Sequence, residues 1–316
     1  MSELRPERKY DVLTFADACV DLIVTGDVVP RFGQVEQLVD GYLLEMGGSC
    51  CIFACQAAKL GLRVGILGRV GDDDFGRLVL RRLEQNGVDT SHMIVDPALQ
   101  TGIGIALCRE DDRAILTYMG SINALDPHDV TDDLLGSARH LHHGSFYLHT
   151  RLRPHMAEIF GRARSLGLTV SLDTNWDPAE QWDSGLHEAL PLVNLFLPNE
   201  QEAFLISRRL NLDDAVQEFL ARGVSLVAVK RGSEGASVYG GAGRLHREVI
   251  PVSGGDSVGA GDSFDAGFLA GWLRGLPLDR CLDIACCCGR AVAGAIGGLS
   301  GQPDWNTICR TVKAEP

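Results

Sequence analysis

The sequence predicts an α/β protein: a mostly parallel central sheet with helices on both faces, plus a small additional β-sheet. Apolar strand-like runs alternate with amphipathic helical stretches through most of the chain, the rhythm of parallel strands joined by helices. Three segments break that rhythm without a helical period, which assigns them to a second, smaller sheet. There are no long linkers, repeats or low-complexity segments, so residues 1–316 read as one domain. The β appendage is drawn from about 20–46 and 100–120.

Taken in chain order, residues 35–45 alternate apolar and polar, and residues 63–70 (RVGILGRV) read as a buried strand. The helix predicted over 74–86 places Phe75, Leu78, Val79 and Leu83 on one face, and Gly87 ends it. Residues 102–109 and 113–119 read as a hairpin turning at 110–112. Strands follow at 168–173, 192–197 and 226–230, each separated from the next by helical sequence. A last helical run over 262–274 begins directly after a glycine-rich turn.

Composition narrows the function classes. The chain is 45% hydrophobic and 22% charged, an ordinary globular profile with no apolar stretch long enough to span a bilayer. The charged start MSELRPERK has no apolar region behind it, so no signal peptide is expected and the cytoplasm is the expected location. A net charge of −13 without a local Lys/Arg cluster repels a phosphate backbone, so nucleic acid is not an expected partner. The ten cysteines lack paired C-x-x-C spacing and read as small buried hydrophobes. Alternation puts His140 and His142 on one strand face, with no carboxylate or thiol nearby to complete a metal site.

Residues 254–269 (GGDSVGAGDSFDAGFL) carry the strongest chemical signal. The turn Gly259-Ala260-Gly261 enters a helix, so backbone N–H groups at the positive end of the helix dipole face outward, a setting that suits a phosphate. Asp262 stands at the mouth of that anion site. A carboxylate there repels phosphate unless it takes part in the reaction, as a base accepting a proton from an attacking hydroxyl. The alternative is that Asp262 is a helix N-cap, worth about 0.5–2 kcal/mol.

The run DSVGAGDSF at 256–264 resembles the C-terminal signature D-T-x-G-A-G-D-x-F of the ribokinase-like (PfkB) carbohydrate kinases. Gly47-Gly48, AAKLG at 57–61 and GRVGDDDFG at 68–76 resemble the N-terminal signature. Residues 171–175 (SLDTN) with Trp182 resemble the D-x-N…W segment, and Asn199 to Glu202 matches N-x-x-E. The matches run in family order from about residue 12 to 300. No G-x-x-x-x-G-K-[ST] occurs, so this is not a P-loop enzyme.

The resemblance implies a Rossmann-like core with a β lid over a sugar site, and transfer of phosphate from ATP to a hydroxyl of a small sugar or sugar acid. It makes Asp262 the base and the amides of Gly259, Ala260 and Gly261 the anion hole. It implies a Mg²⁺ environment held through water by Asn199 and Glu202, a K⁺ near Asp256, and nucleotide contacts at Lys230, Gly232, Gly235 and Cys286. Asn199 with Glu202 is equally a helix capping box. On the sugar side it implies Asp21, preferred over Asp17, with Gly47, Gly48 and the lid residue Arg113. Ile52 stands where most members carry Asn, and Cys286 where many do. A nucleoside kinase of the same fold and a non-catalytic binding protein remain the alternatives. An edge strand over 35–45 would suit a homodimer joined through the lid.

Overall fold

The computed structural model describes residues 8–109, 112–241, 243–255 and 257–312; the side chains of residues 112 and 113 lie outside that description. The chain opens with β1 (Tyr10–Phe15), β2 (Cys19–Thr25) and β3 (Gly41–Gly47), then α1 (Ser49–Lys59). β4 (Val64–Gly71), α2 (Asp74–Gln85) and β5 (Asp89–Asp96) follow, then the hairpin β6 (Gly102–Arg109) and β7 (Asp112–Tyr118). Next come α3 (Asp132–Gly136), β8 (Ala138–His143), α4 (Met156–Ser165), β9 (Thr169–Leu172), α5 (Leu186–Ala189) and β10 (Leu195–Phe196). The remainder runs through α6 (Glu200–Ser207), α7 (Leu212–Ala221), β11 (Leu226–Lys230), β12 (Ala236–Gly240) and β13 (Gly243–Arg247). It ends in α8 (Ala260–Leu273), α9 (Leu278–Ala293) and α10 (Trp305–Val312).

The large sheet has the order β13-β12-β11-β10-β9-β8-β1-β4-β5, parallel from β11 to β5 and antiparallel at β12 and β13. Alternation along each strand feeds two cores. Val12, Ile66, Leu195 and Ala228 face the layer of α1, α8 and α9, while Leu13, Leu67, Phe196 and Val227 face that of α4, α6 and α7. Among the described residues no helix is long and apolar enough to cross a membrane.

The small sheet has the order β3-β2-β6-β7, with β2 parallel to β6 and the other pairs antiparallel. It is narrower than the pattern at 35–45 predicts. β2 pairs residue for residue with Gly41–Gly47, and Gly26 (φ 108°) then turns the chain away. Residues 35–40 therefore find no partner strand, and Leu38 is 83% exposed. The strand predicted at 192–197 contracts to Leu195–Phe196. A 3₁₀ turn, Leu190–Leu192, occupies its start, and Pro198 lacks the N–H to extend the ladder. His140 and His142 do share a face, where both rings bond Ser171 Oγ (2.7 and 2.8 Å). Burial drives His142 down to about 3, so it is a neutral core residue.

Candidate active site

The parallel strands end on one side of the sheet, the edge where ligands gather in open α/β folds. Four polar side chains stand just there: Asp17 after β1, Ser145 after β8, Asp173 after β9 and Lys230 at the end of β11. The N-termini of α1 and α8 meet the same edge. Asp17 accepts the first N–H groups of α1, from Ser49 (2.8 Å) and Cys50 (3.0 Å), and the hydroxyl of Ser145. Asn175, in the left-handed region at φ 57°, donates to Ser49 Oγ (2.6 Å) and Ser145 Oγ (3.0 Å). These bonds tie the ends of β1, β8 and β9 to the start of α1.

α8 begins differently. Its N-cap position is Gly259 (φ 72°), with no side-chain cap, so Asp262 sits inside the first turn and does not cap the helix. The early N–H groups of α8 lack intrahelical acceptors, as at any helix start. Ala260 N–H makes a long bond to Ser257 O (3.3 Å), and the first helical bond is Ser263 N–H to Gly259 O (2.9 Å). Burial, then the Asp173 carboxylate, pushes Asp262 up to about 8; Lys230 and a hydrogen bond from Ser49 work against that rise. A carboxyl group so placed is a candidate acid or base near neutral pH.

Lys230 is neither a solvated charge nor a free one. Its side chain is only 13% exposed, and Nζ lies 2.7 Å from Asp173 Oδ2 and 3.2 Å from both oxygens of Asp265. Burial opposes its charge, but Asp173 and then Asp265 outweigh burial, so the ammonium holds its proton more tightly than usual. The two acids divide unequally. Burial raises Asp265 well above the carboxylate range. Asp173 is also raised by burial, but Lys230 and a hydrogen bond from Asp265 bring it lower overall. Of the pair, Asp173 is held toward its charged form and Asp265 toward its neutral form.

A cleft of about 290 Å³ opens beside the Gly259–Gly261 turn. Lys230, Gly232, Gly235, Ala260, Gly261 and Cys286 line it, so the residues predicted for the nucleotide and two of those predicted for the anion hole border one cleft. Ile250, Val252 and Phe264 make the rest largely apolar. Gly235 (φ 88°) is pressed against the carbonyl of Arg247, leaving no room for a side chain. Arg231 pairs with Glu200 (2.9 Å) and Glu234 (2.6 Å).

On the small sheet, Asp21 faces Gly47 and Gly104; a Cβ on Gly104 would lie 2.7 Å from its carboxylate, and one on Gly47 would collide with it. Gly48 (φ 87°) closes against Asp17. Arg113, in β7, is paired through its backbone with Cys108 of β6, while its side chain lies outside the described residues, as does Asp256 altogether. Ile52 is 2% exposed, and a Cβ placed on Gly259 or Gly298 would meet its side chain at 2.9 or 2.6 Å.

Asn199 and Glu202 form the full capping box of α6, each side chain accepting the other's backbone N–H at 2.8 Å. Burial, then Asp173, lifts Glu202 to about 7. Among the described residues no three His, Cys, Asp or Glu side chains converge to hold a metal ion. The side-chain oxygens of Asn199 and Glu202 are the donor type that suits Mg²⁺, which keeps several waters and is bound largely through substrate phosphates.

Sequence reasoning named Asp262 and Lys230 but not Ser49, Ser145 or Asp265. Asp265 carried a usable signal, since it lies three residues after Asp262 and so on the same helical face. Ser49 and Ser145 carried none, because both are placed by partners far away in the chain.

The chain is similar to known proteins over most of its length. The model of the pfkB family of carbohydrate kinases matches residues 10–305. The chain is 34% identical over 261 residues to an ATP-dependent ribose-1-phosphate kinase of Halopiger xanaduensis, covering 80% of this chain and 82% of that one. It is 28% identical over 305 residues to a 2-dehydro-3-deoxygluconokinase of Thermoproteus tenax, covering 91% and 93%. Among solved structures, a ribokinase II candidate from E. coli in complex with ATP and Mg²⁺ superposes with a TM-score of 0.84 at 26% identity, over 96% of this chain and 99% of that one. With a family model spanning nearly its whole length and a relative 34% identical over four fifths of the chain, the protein belongs to the pfkB family of carbohydrate kinases and is an ATP-dependent sugar kinase.

Proposed function

We propose that this kinase phosphorylates a hydroxyl of a small sugar or sugar acid, with Asp262 as general base and the helix start behind Gly259, Ala260 and Gly261 as anion hole. The observation that carries this reading is the placement of Asp262. It lies on the first turn of α8, directly after Ala260 and Gly261, which line the cleft, and it bonds Ser49 of the polar edge formed by Asp17, Ser49, Ser145 and Asn175.

The chemistry follows from that placement. Asp262, once ionised, accepts the proton of the attacking hydroxyl. The α8 N-terminus receives the negative charge that gathers on the transferred group. Little covalent work is asked of the protein; positioning and charge complementarity provide the acceleration. Mg²⁺, held with the nucleotide phosphates and reached through water by Asn199 and Glu202, would neutralise phosphate charge. On the sugar side, Asp21 on the small sheet is the residue we assign to substrate hydroxyls, with Gly47 and Gly48 admitting the ring. The small sheet then acts as a lid.

The names of the two relatives put anionic sugars first: a sugar phosphate in one, a sugar acid in the other. The test is ADP release with ATP and Mg²⁺ across ribose 1-phosphate, ketodeoxy sugar acids, ketoses, aldoses and nucleosides. The product is confirmed by its phosphorus NMR signal. A phosphorylated sugar or sugar acid is the expected result; turnover of nucleosides alone would replace the sugar reading with a nucleoside one.

A further inference from the structure

Lys230 ends β11 and reaches under the first turns of α8. Its Nζ lies 2.7 Å from Asp173 and 3.2 Å from Asp265, so its charge is directed at two buried carboxyl groups. A Cβ placed on Gly261 would stand 3.7 Å from the same nitrogen, so the ammonium also adjoins the backbone that presents Asp262. Asp173 leads directly into Asn175, whose amide grips Ser49 at 2.6 Å. The groups around Asp262 are Asp17 beyond β1, Ser49 and Cys50 on α1, Asp173 beyond β9, Lys230 on β11 and Asp265 one turn along α8, and Glu202 of α6 interacts with Lys230. Of these only Lys230 carries positive charge.

Resting on the reading of Asp262 as the base, we propose that Lys230 is a positioning residue: clamped by Asp173 and Asp265, it fixes the start of α8 and makes Asp262 available as a carboxylate, and it does not bind the transferred phosphate. The direction follows from charge. A cation beside a buried carboxyl favours its ionised form, and neighbouring carboxylates disfavour it. A buried cation already paired to two acids gains little by turning to a third anion.

Two variants move the balance in opposite directions. Asp173→Asn with Asp265→Asn keeps the side-chain shapes and leaves Lys230 facing Asp262. The rise of kcat/KM with pH then shifts to lower pH by about one unit or more, the equivalent of about tenfold at a fixed pH on the rising limb. Lys230→Met shifts the rise to higher pH, with KM for ATP kept within about threefold of the wild-type value. If Lys230→Met fails to fold, the double Asn variant carries the test alone. An unmoved rise in both variants overturns the proposal. So does Lys230→Met that raises KM for ATP about tenfold without moving the rise, because that is the signature of a phosphate ligand.

A second readout needs no turnover. The Tm difference between each protein and its own Asp262→Asn counterpart grows with pH until Asp262 ionises in the fold, then levels off. The levelling point is expected near pH 8 in the wild type, lower in the double Asn variant and higher in Lys230→Met. Movement of this plateau while Asp262→Asn keeps full turnover rejects Asp262 as the base and retains the coupling. Turnover with an unmoved plateau rejects the coupling and retains the kinase.

Discussion

Asp262→Asn is expected to lower kcat by about 10²- to 10⁴-fold, the usual contribution of a positioned base, while the protein becomes more stable at pH 8. The two effects share one cause. Asp262 sits where burial and Asp173 oppose its negative charge, which lifts it from 3.8 to about 8. In the unfolded chain it ionises near its ordinary value. Stability is therefore lost steadily as pH rises from about 4 to about 8, and above that range the loss is constant. An amide of the same shape removes both the charge and the base. Thermal melts at pH 5 and pH 8 beside the kinetic assay check this. Retained activity would place the base elsewhere, and a lower Tm at pH 8 would make Asp262 structural.

Gly259→Ala is expected to reduce kcat by about 100-fold or more and to lower Tm. Gly259 holds φ 72°, a region that costs a non-glycine residue about 1–2 kcal/mol. Its new Cβ would lie 2.8 Å from the Gly298 Cα and 2.9 Å from Ile52 Cγ2, too close for either to stay in place. Backbone at Gly298 gives way only by moving the turn, and displacement of about 1 Å at an anion hole is enough to lose about two orders of magnitude in rate. Gly261→Ala is the contrast, because its Cβ meets nothing nearer than 3.7 Å. Wild-type kcat in Gly259→Ala would show that the turn does not shape the site.

These positions also show what the sequence made legible. Period and punctuation located strands of both sheets: the run at 63–70 became Val64–Gly71, and the hairpin at 102–119 became Gly102–Arg109 with Asp112–Tyr118. A local pattern can report such elements because the side-chain period alone decides which face is buried. The same logic failed at 35–40, where alternation was present but β2 was too short to supply a partner. In the site, the glycine turn and Asp262 form one contiguous motif and could be read together. The Lys230 clamp could not. Its acids lie 57 and 35 residues away in the chain, and a lysine that ends a strand looks the same whether it faces water or two buried carboxyls.

The most direct test of the account is the pH dependence of kcat/KM for the sugar, measured between pH 5.5 and 9.5 at sub-saturating ATP, where the profile reports groups of the free enzyme. With Asp262 as the base, kcat/KM rises about tenfold per pH unit below pH 8 and levels near that value. A profile that stays flat from pH 6 to 8 would mean that no group with the raised affinity of Asp262 must lose its proton for phosphate transfer, and would contradict the assignment of the base.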